Sequence, residues 1–201
     1  MNFREANITV DVIVVGYGAA GAAAALTAHE HGAETLILEK MLCPGGNSLV
    51  SSANMVFPKN TADADKFADY LNEVNFGTTE PELVDTFVKG LLENSAWLES
   101  LGGELEIYDG FKQDPSISYY IPNLTFAGLP SAQGLELVAL HLKQTETCPE
   151  PTGGNPIPRL FAAGEFGWIW GFRYQTSTNY SECLVFGRFA GRNAALSEPF
   201  I

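Results

Sequence analysis

The sequence predicts an α/β chain built on a parallel sheet with flanking helices. Three observations carry that expectation. Residues 8–15 (Ile-Thr-Val-Asp-Val-Ile-Val-Val) form an apolar, β-branched run; Ala22 to His31 is Ala-rich and contains Leu26; Thr35-Leu-Ile-Leu38 is a second apolar run. The first run has the character of a strand buried on both faces, the Ala-rich stretch is strongly helix-forming, and the third segment is short enough for a second strand. Strand, helix, strand in this order make a βαβ unit, which joins parallel strands.

The 201 residues are 46% hydrophobic, 11% aromatic and 17% charged, a composition that can bury a core without metals or disulfides. Acidic residues number 24 against 11 basic ones, for a net charge of −13, and the pI is about 4.5. That balance argues against DNA, RNA or an anionic membrane surface as partner, since phosphate-rich surfaces are bound by clustered Lys and Arg. Cys43, Cys148 and Cys183 are odd in number and lack CxxC spacing, so neither a disulfide framework nor a zinc site is expected. Residues 1–9 lack a long apolar stretch and no run is long enough to span a bilayer, so a cytoplasmic chain is expected.

The turn between the first strand and the helix is Gly16-Tyr-Gly18-Ala19-Ala20-Gly21. Gly16 suits a tight turn, Gly18 allows the backbone to approach a pyrophosphate, and Gly21 allows close packing of helix on strand. The helix N-terminus adds free N–H groups and partial positive charge. Glu39 follows the second strand, 18 residues after Gly21, where an acid can accept hydrogen bonds from a ribose. A carboxylate there repels a 2′-phosphate, which disfavours NADP. From these residues, FAD and NAD both remain open.

The next segment, Lys40-Met41-Leu-Cys-Pro-Gly45-Gly46-Asn47-Ser48, is followed by Ser51 and Ser52. Its paired glycines let backbone N–H groups approach a bound group, and Asn47, Ser48 and Ser52 add neutral hydrogen-bonding groups. Far downstream stand Ile157-Pro-Arg-Leu-Phe-Ala162-Ala163-Gly164-Glu165 and Glu182-Cys183-Leu184-Val-Phe-Gly187-Arg-Phe-Ala-Gly191. With these motifs in this order, the chain resembles the flavoprotein family of soluble fumarate reductases, urocanate reductases and ketosteroid Δ1-dehydrogenases.

The resemblance implies a Rossmann-like FAD-binding fold with FAD as cofactor. It places the βαβ unit and GGNS loop in residues 1–60, a helical segment in 61–145 and a C-terminal flavin-binding part in 155–201, all in one domain. It gives 157–165 as a late strand and turn, with Ala163, Gly164 and Glu165 at the cofactor and the Glu165 carboxylate on the ribityl chain. The last helix, with Asn179, Cys183 and Leu184, would direct its N-terminus toward the flavin pyrimidine. Asn179 and Glu182 are spaced as a capping pair for that helix. Gly187 and Gly191 suit close helix packing better than ligand contact.

Between the late motifs, the fumarate reductases carry a His and an Arg; this chain has Trp170 and Tyr174 at those positions. Ketosteroid dehydrogenases carry a Tyr where Tyr174 stands. The resemblance therefore favours an enone-type or steroid-like substrate over fumarate, with Tyr174 as proton donor and Arg173 as an alternative anion contact. The 175–178 stretch, Gln-Thr-Ser-Thr, departs from the family's glycines.

In the middle, residues 61–101 show apolar groups at helical spacing, as two or three amphipathic helices. One opens at Glu80-Pro81-Glu82, with Pro early and an acid in the first turn. Leu83, Val84, Phe87, Val88, Leu91, Leu92 and Trp97 continue its stripe to Gly102-Gly103. Residues 131–142 read as a further helix. The linker Thr147 to Pro156 is rich in Pro and Gly; there the family's substrate-capping domain has no counterpart. That gap leaves two expectations: an oxidoreductase acting on a small molecule, completed by a homo-oligomer or a second chain, or a cofactor-binding module without its own turnover. His29, His31 and His141 lack partners in register, and GxSxG and HExxH are absent, so no metal or hydrolase site is expected.

Overall fold

The computed structural model describes residues 8–51, 54–58, 60–105, 137–141, 158–164 and 178–198. The βαβ unit forms as expected. Strand β1 (Val12–Val15), helix α1 (Ala19–Glu30) and strand β2 (Thr35–Leu38) follow one another, and β1 pairs with β2 in parallel with Val12 opposite Thr35 and Val15 opposite Leu38. α1 starts three residues before the Ala-rich stretch, directly at the second glycine, and Gly32 lies just past its end. Val12, Ala28 and Ala33 bury one face of the sheet against α1. The expected burial on both faces is not seen: Ile13 is 57% and Val15 83% exposed. Side chains alternate along a strand, so the α1 face is covered and the opposite one is open.

Residues 46–49, expected as loop, form a short helix α2 (Gly46–Leu49). Strand β3 (Asn54–Pro58) follows, then helices α3 (Thr61–Val74) and α4 (Pro81–Ser100). The 61–101 reading thus resolves into two helices. Asn60 caps α3, its side chain accepting from the Asp63 amide at 3.0 Å, and Pro81 and Glu82 open α4 as read from the sequence.

The helix expected over 131–142 is corrected at its described part. Residues 137–141 are strand β4 (Leu137–His141), antiparallel to β3 with Asn54 opposite His141 and Pro58 opposite Leu137. A short apolar run fits either period, and the backbone of β3 decided between them. The segment 61–145, expected to be helical, therefore contains a strand at 137–141. The last helix, α5 (Thr178–Ala195), begins before Asn179. Asn179 therefore lies inside the first turn, and the expected Asn179–Glu182 capping pair does not form a cap.

The main core joins β3, α3, α4 and α5 through Met55, Phe57, Phe67, Leu71, Phe87, Leu91, Val185 and Phe186, among others. Phe87 and Phe186 stack with centroids 6.2 Å apart. α5 also lies directly on α1. A Cβ at Gly187 would stand 2.8 Å from the Ala20 carbonyl oxygen and 2.9 Å from Ala23 Cβ, and one at Gly191 would collide with the Ala24 carbonyl. A step of four residues on α5 matches a step of four on α1, so the helices run in the same direction. α5 starts nine residues before Gly187 while α1 starts one before Ala20. At 1.5 Å per residue, α5 thus reaches about 12 Å further along its own axis, past the N-terminus of α1.

Candidate cofactor site

Gly16 holds φ at +100°, a conformation that residues with a side chain rarely adopt, and its amide donates to the Leu38 carbonyl at 2.7 Å, extending the strand ladder. Gly21 sits so close beneath the turn that a Cβ would collide with the Gly16 carbonyl oxygen and approach Val14 Cγ1 to 3.2 Å. Gly16 thus makes the tight turn and Gly21 the close helix–strand packing that their spacing predicts. At the start of α1 the Ala22 amide returns to the Gly18 carbonyl and the Ala19 amide donates to Ser48 Oγ at 3.0 Å. Among the described residues, the amides of Ala20 and Gly21 have no partner, so two donors remain at a positive helix end for an anionic ligand.

The GGNS segment is tied to this turn. The Gly45 amide donates to the Tyr17 carbonyl at 2.8 Å, and Gly45 holds φ at +119° with its α-carbon face against Leu49. Ser48 reaches Ala19 across 29 residues of sequence. Gly46 and Asn47 open α2, while Lys40 and Met41 lead into the loop.

Glu39 closes the other side. One carboxylate oxygen accepts from the Met41 amide and the other from the Tyr17 amide, both at 2.8 Å. Those bonds, with the Met41 amide contributing most, hold its pKa below the ordinary 4.5. Each oxygen keeps a second lone pair, which suits sugar hydroxyls. Because the folded pKa is depressed, this stabilisation is complete above the unfolded value and is lost as pH falls through the folded one. Glu39→Gln is therefore expected to flatten the loss of stability as pH falls below the ordinary carboxylate value of 4.5, read from thermal melts of both proteins on the acid side of that value.

A cleft of about 460 Å³ runs along β1. Its lining includes Gly16, Gly18, Ala20 and Gly21 of the turn, Leu160 to Ala163, and Ala190, Gly191 and Ala194 of α5. The early and late motifs thus meet at one cavity. The late strand expected within 157–165 is not formed over the described residues: Arg159 turns the chain at φ +65°, Gly164 turns it again at +143°, and Leu160–Ala163 line the same cleft as β1 without forming a strand.

Of the other expected site residues, Asn179 is half-buried in the first turn of α5, Cys183 is buried one turn on, and Leu184 belongs to the main core. The side chains of Cys183 and Leu184 are thus committed to packing. Ser52, Glu165, Arg173 and Tyr174 lie outside the described residues. Sequence reasoning missed Asn94, Ser181 and Arg188, which tie α4 and β3 to α5. One signal was available: Asn94 interrupts the apolar stripe of α4 exactly where its period puts a core residue, three after Leu91 and four before Leu98.

The described donors fit FAD. Two unpartnered amides stand at a helix end, a carboxylate with spare lone pairs ends β2, and a glycine turn has no room for a side chain beneath it. This is a dinucleotide-binding α/β fold. The chain matches the FAD binding domain family over residues 11–135 and belongs to it, and its cofactor is FAD. It is 35% identical over 102 residues to the urocanate reductase of Eggerthella lenta, covering 47% of this chain and 17% of that one. Against the NADH:fumarate oxidoreductase of Klebsiella pneumoniae it is 36% identical over 100 residues, 46% and 11% of the two chains. Against the 3-oxo-5-alpha-steroid 4-dehydrogenase of Comamonas testosteroni it is 37% identical over 102 residues, 46% and 19%. The aligned part is less than a fifth of each relative's length. Among the described residues, no helix is long and apolar enough to cross a membrane.

Proposed function

We propose that the protein is an FAD-dependent oxidoreductase that moves a hydride between the flavin and an activated C=C or CH–CH pair, with an enone or steroid-like substrate favoured over fumarate. The observation that carries the reading is the meeting of the Gly16–Gly21 turn and Leu160–Ala163 at one cleft, with Ser48 and Glu39 bracing the turn. Three relatives named for reduction or dehydrogenation support the reaction class. When bound, FAD supplies reversible hydride acceptance at N5. In this reading the amides of Ala20 and Gly21 hold the diphosphate, Glu39 accepts from the adenosine ribose, and Asn47 and Ser52 bond the phosphate or ribityl oxygens. Glu165 accepts from the ribityl chain. The Tyr174 hydroxyl gives a proton to the carbonyl oxygen of an enone; Arg173 is the alternative contact, for a substrate that carries an anionic group.

Purified protein with a flavin absorption band, reduced anaerobically and then mixed with fumarate, urocanate or a 3-ketosteroid, tests this. Reoxidation fastest with the ketosteroid is expected. A protein that binds NAD and no flavin overturns the reading. One fact favours a second reading, a flavin-binding module without its own turnover: the matches span under a fifth of each relative. Bound flavin that none of the three substrates reoxidises selects that module.

A further inference from the structure

A continuous line of polar groups crosses the core beneath α5. Arg188 Nη1 donates to Asn94 Oδ1 at 2.7 Å, and Arg188 Nη2 pairs with Glu93 at 2.7 Å. The guanidinium lies 5.5 Å from the centre of the Trp97 ring. Asn94, fully buried in α4, donates from Nδ2 to the Ser181 carbonyl at 3.4 Å. Ser181, also fully buried, accepts from the Val56 amide at 3.1 Å and donates to the Val56 carbonyl at 3.3 Å. Its hydroxyl takes the place of a strand neighbour for β3 on the side away from β4.

Burying the Asn94 and Ser181 side chains in the core is costly unless each is bonded. Apolar residues would hold α4 and α5 together at least as well. What apolar packing cannot do is fix register, because it is not directional. Here the direction matters at one place, the first turn of α5, which stands about 12 Å beyond the α1 end that grips a diphosphate. That distance suits the far half of a dinucleotide.

We infer that Arg188, Asn94 and Ser181 are positioning residues that lock the first turn of α5 onto β3 and thereby set the grip on the flavin half of FAD, leaving the ADP half to the Gly16–Gly21 turn, Ser48 and Glu39. This rests on the reading that FAD lies along that path. None of the three touches the cofactor; each acts through the placement of α5.

The test compares ADP and FAD binding to the 201-residue chain by calorimetry, for the native protein and Ser181→Ala. ADP affinity within twofold of native, with FAD affinity at least tenfold weaker, is expected. The flavin midpoint potential shifts as well: a tenfold change in preference between oxidised and reduced cofactor is about 30 mV for a two-electron couple. Ser181→Thr, which keeps the hydroxyl, restores both. Equal weakening of ADP and FAD, or no change in either, overturns the inference. If native protein binds ADP but no FAD, the failure lies in the functional reading and the inference falls with it. Should Ser181→Ala not fold, Arg188→Lys, which keeps the charge but loses the two-pronged contact, goes through the same titrations and is judged by the same split.

Discussion

Gly21→Val is expected to weaken FAD binding about 100-fold, or about 2.7 kcal/mol, in a fluorescence titration of the folded variant. A Cβ alone at this position collides with the Gly16 carbonyl oxygen and stands 3.0 Å from its carbon and 3.2 Å from Val14 Cγ1. The first two partners are backbone and cannot rotate away, so the start of α1 must lift. Lifting it carries off the Ala20 and Gly21 amides, breaks the Ala19–Ser48 bond and opens the turn that Glu39 holds at Tyr17. Overpacking costs about 1–3 kcal/mol of stability besides, so the affinity is measured well below the melting temperature. Gly21→Ala, with the same collision and two fewer methyls, falls between. Native affinity in Gly21→Val would mean that the close approach of helix to turn has no part in gripping the cofactor.

The second large effect concerns stability. Gly191→Val drives a branched side chain into the backbone of α1, where even a Cβ would collide with the Ala24 carbonyl oxygen and lie 2.8 Å from its carbon. No rotamer relieves a contact made by the Cβ itself, so the helices must separate along their length. A loss of about 3 kcal/mol, or about 6–12 °C in the thermal midpoint for a chain of this size, is the expected result. Leu26→Ala on the outer side of α1, where the side chain is 41% exposed, serves as the control and moves the midpoint little. If both variants melt alike, the contact between α1 and α5 is looser than described.

What the sequence made legible were features written in short, contiguous patterns. The βαβ unit was visible because β-branched runs, spaced glycines and an Ala-rich stretch follow without interruption, and Pro81 with Glu82 marked the start of α4 from local chemistry alone. Gly187 and Gly191 were legible as packing because their spacing repeats once per helical turn. Leu137–His141 was misread because five apolar-rich residues carry no period; pairing with β3, about 80 residues earlier, decided their state. Asn179 was misread as a cap because helices start where tertiary contacts hold them, and Ser181 fastens this one from within. In the site, Glu39 stands where its position predicts, yet its carboxylate also staples Tyr17 to Met41. Contacts such as Ser48 to Ala19, or Asn94 to Ser181, join distant parts of the chain and leave little local trace.

The shared direction of α1 and α5 has a kinetic consequence. Each helix carries about half a positive charge at its N-terminus, and here the two dipoles point the same way in a protein whose net charge is −13. An incoming dianion is pushed away at long range and drawn in only within the last few ångströms. Dissolved ions shorten the reach of the repulsion to about 8 Å at physiological ionic strength but scarcely weaken an attraction felt at contact. Capture therefore quickens as electrolyte is added, the reverse of the usual behaviour of a protein that steers its ligand by overall charge.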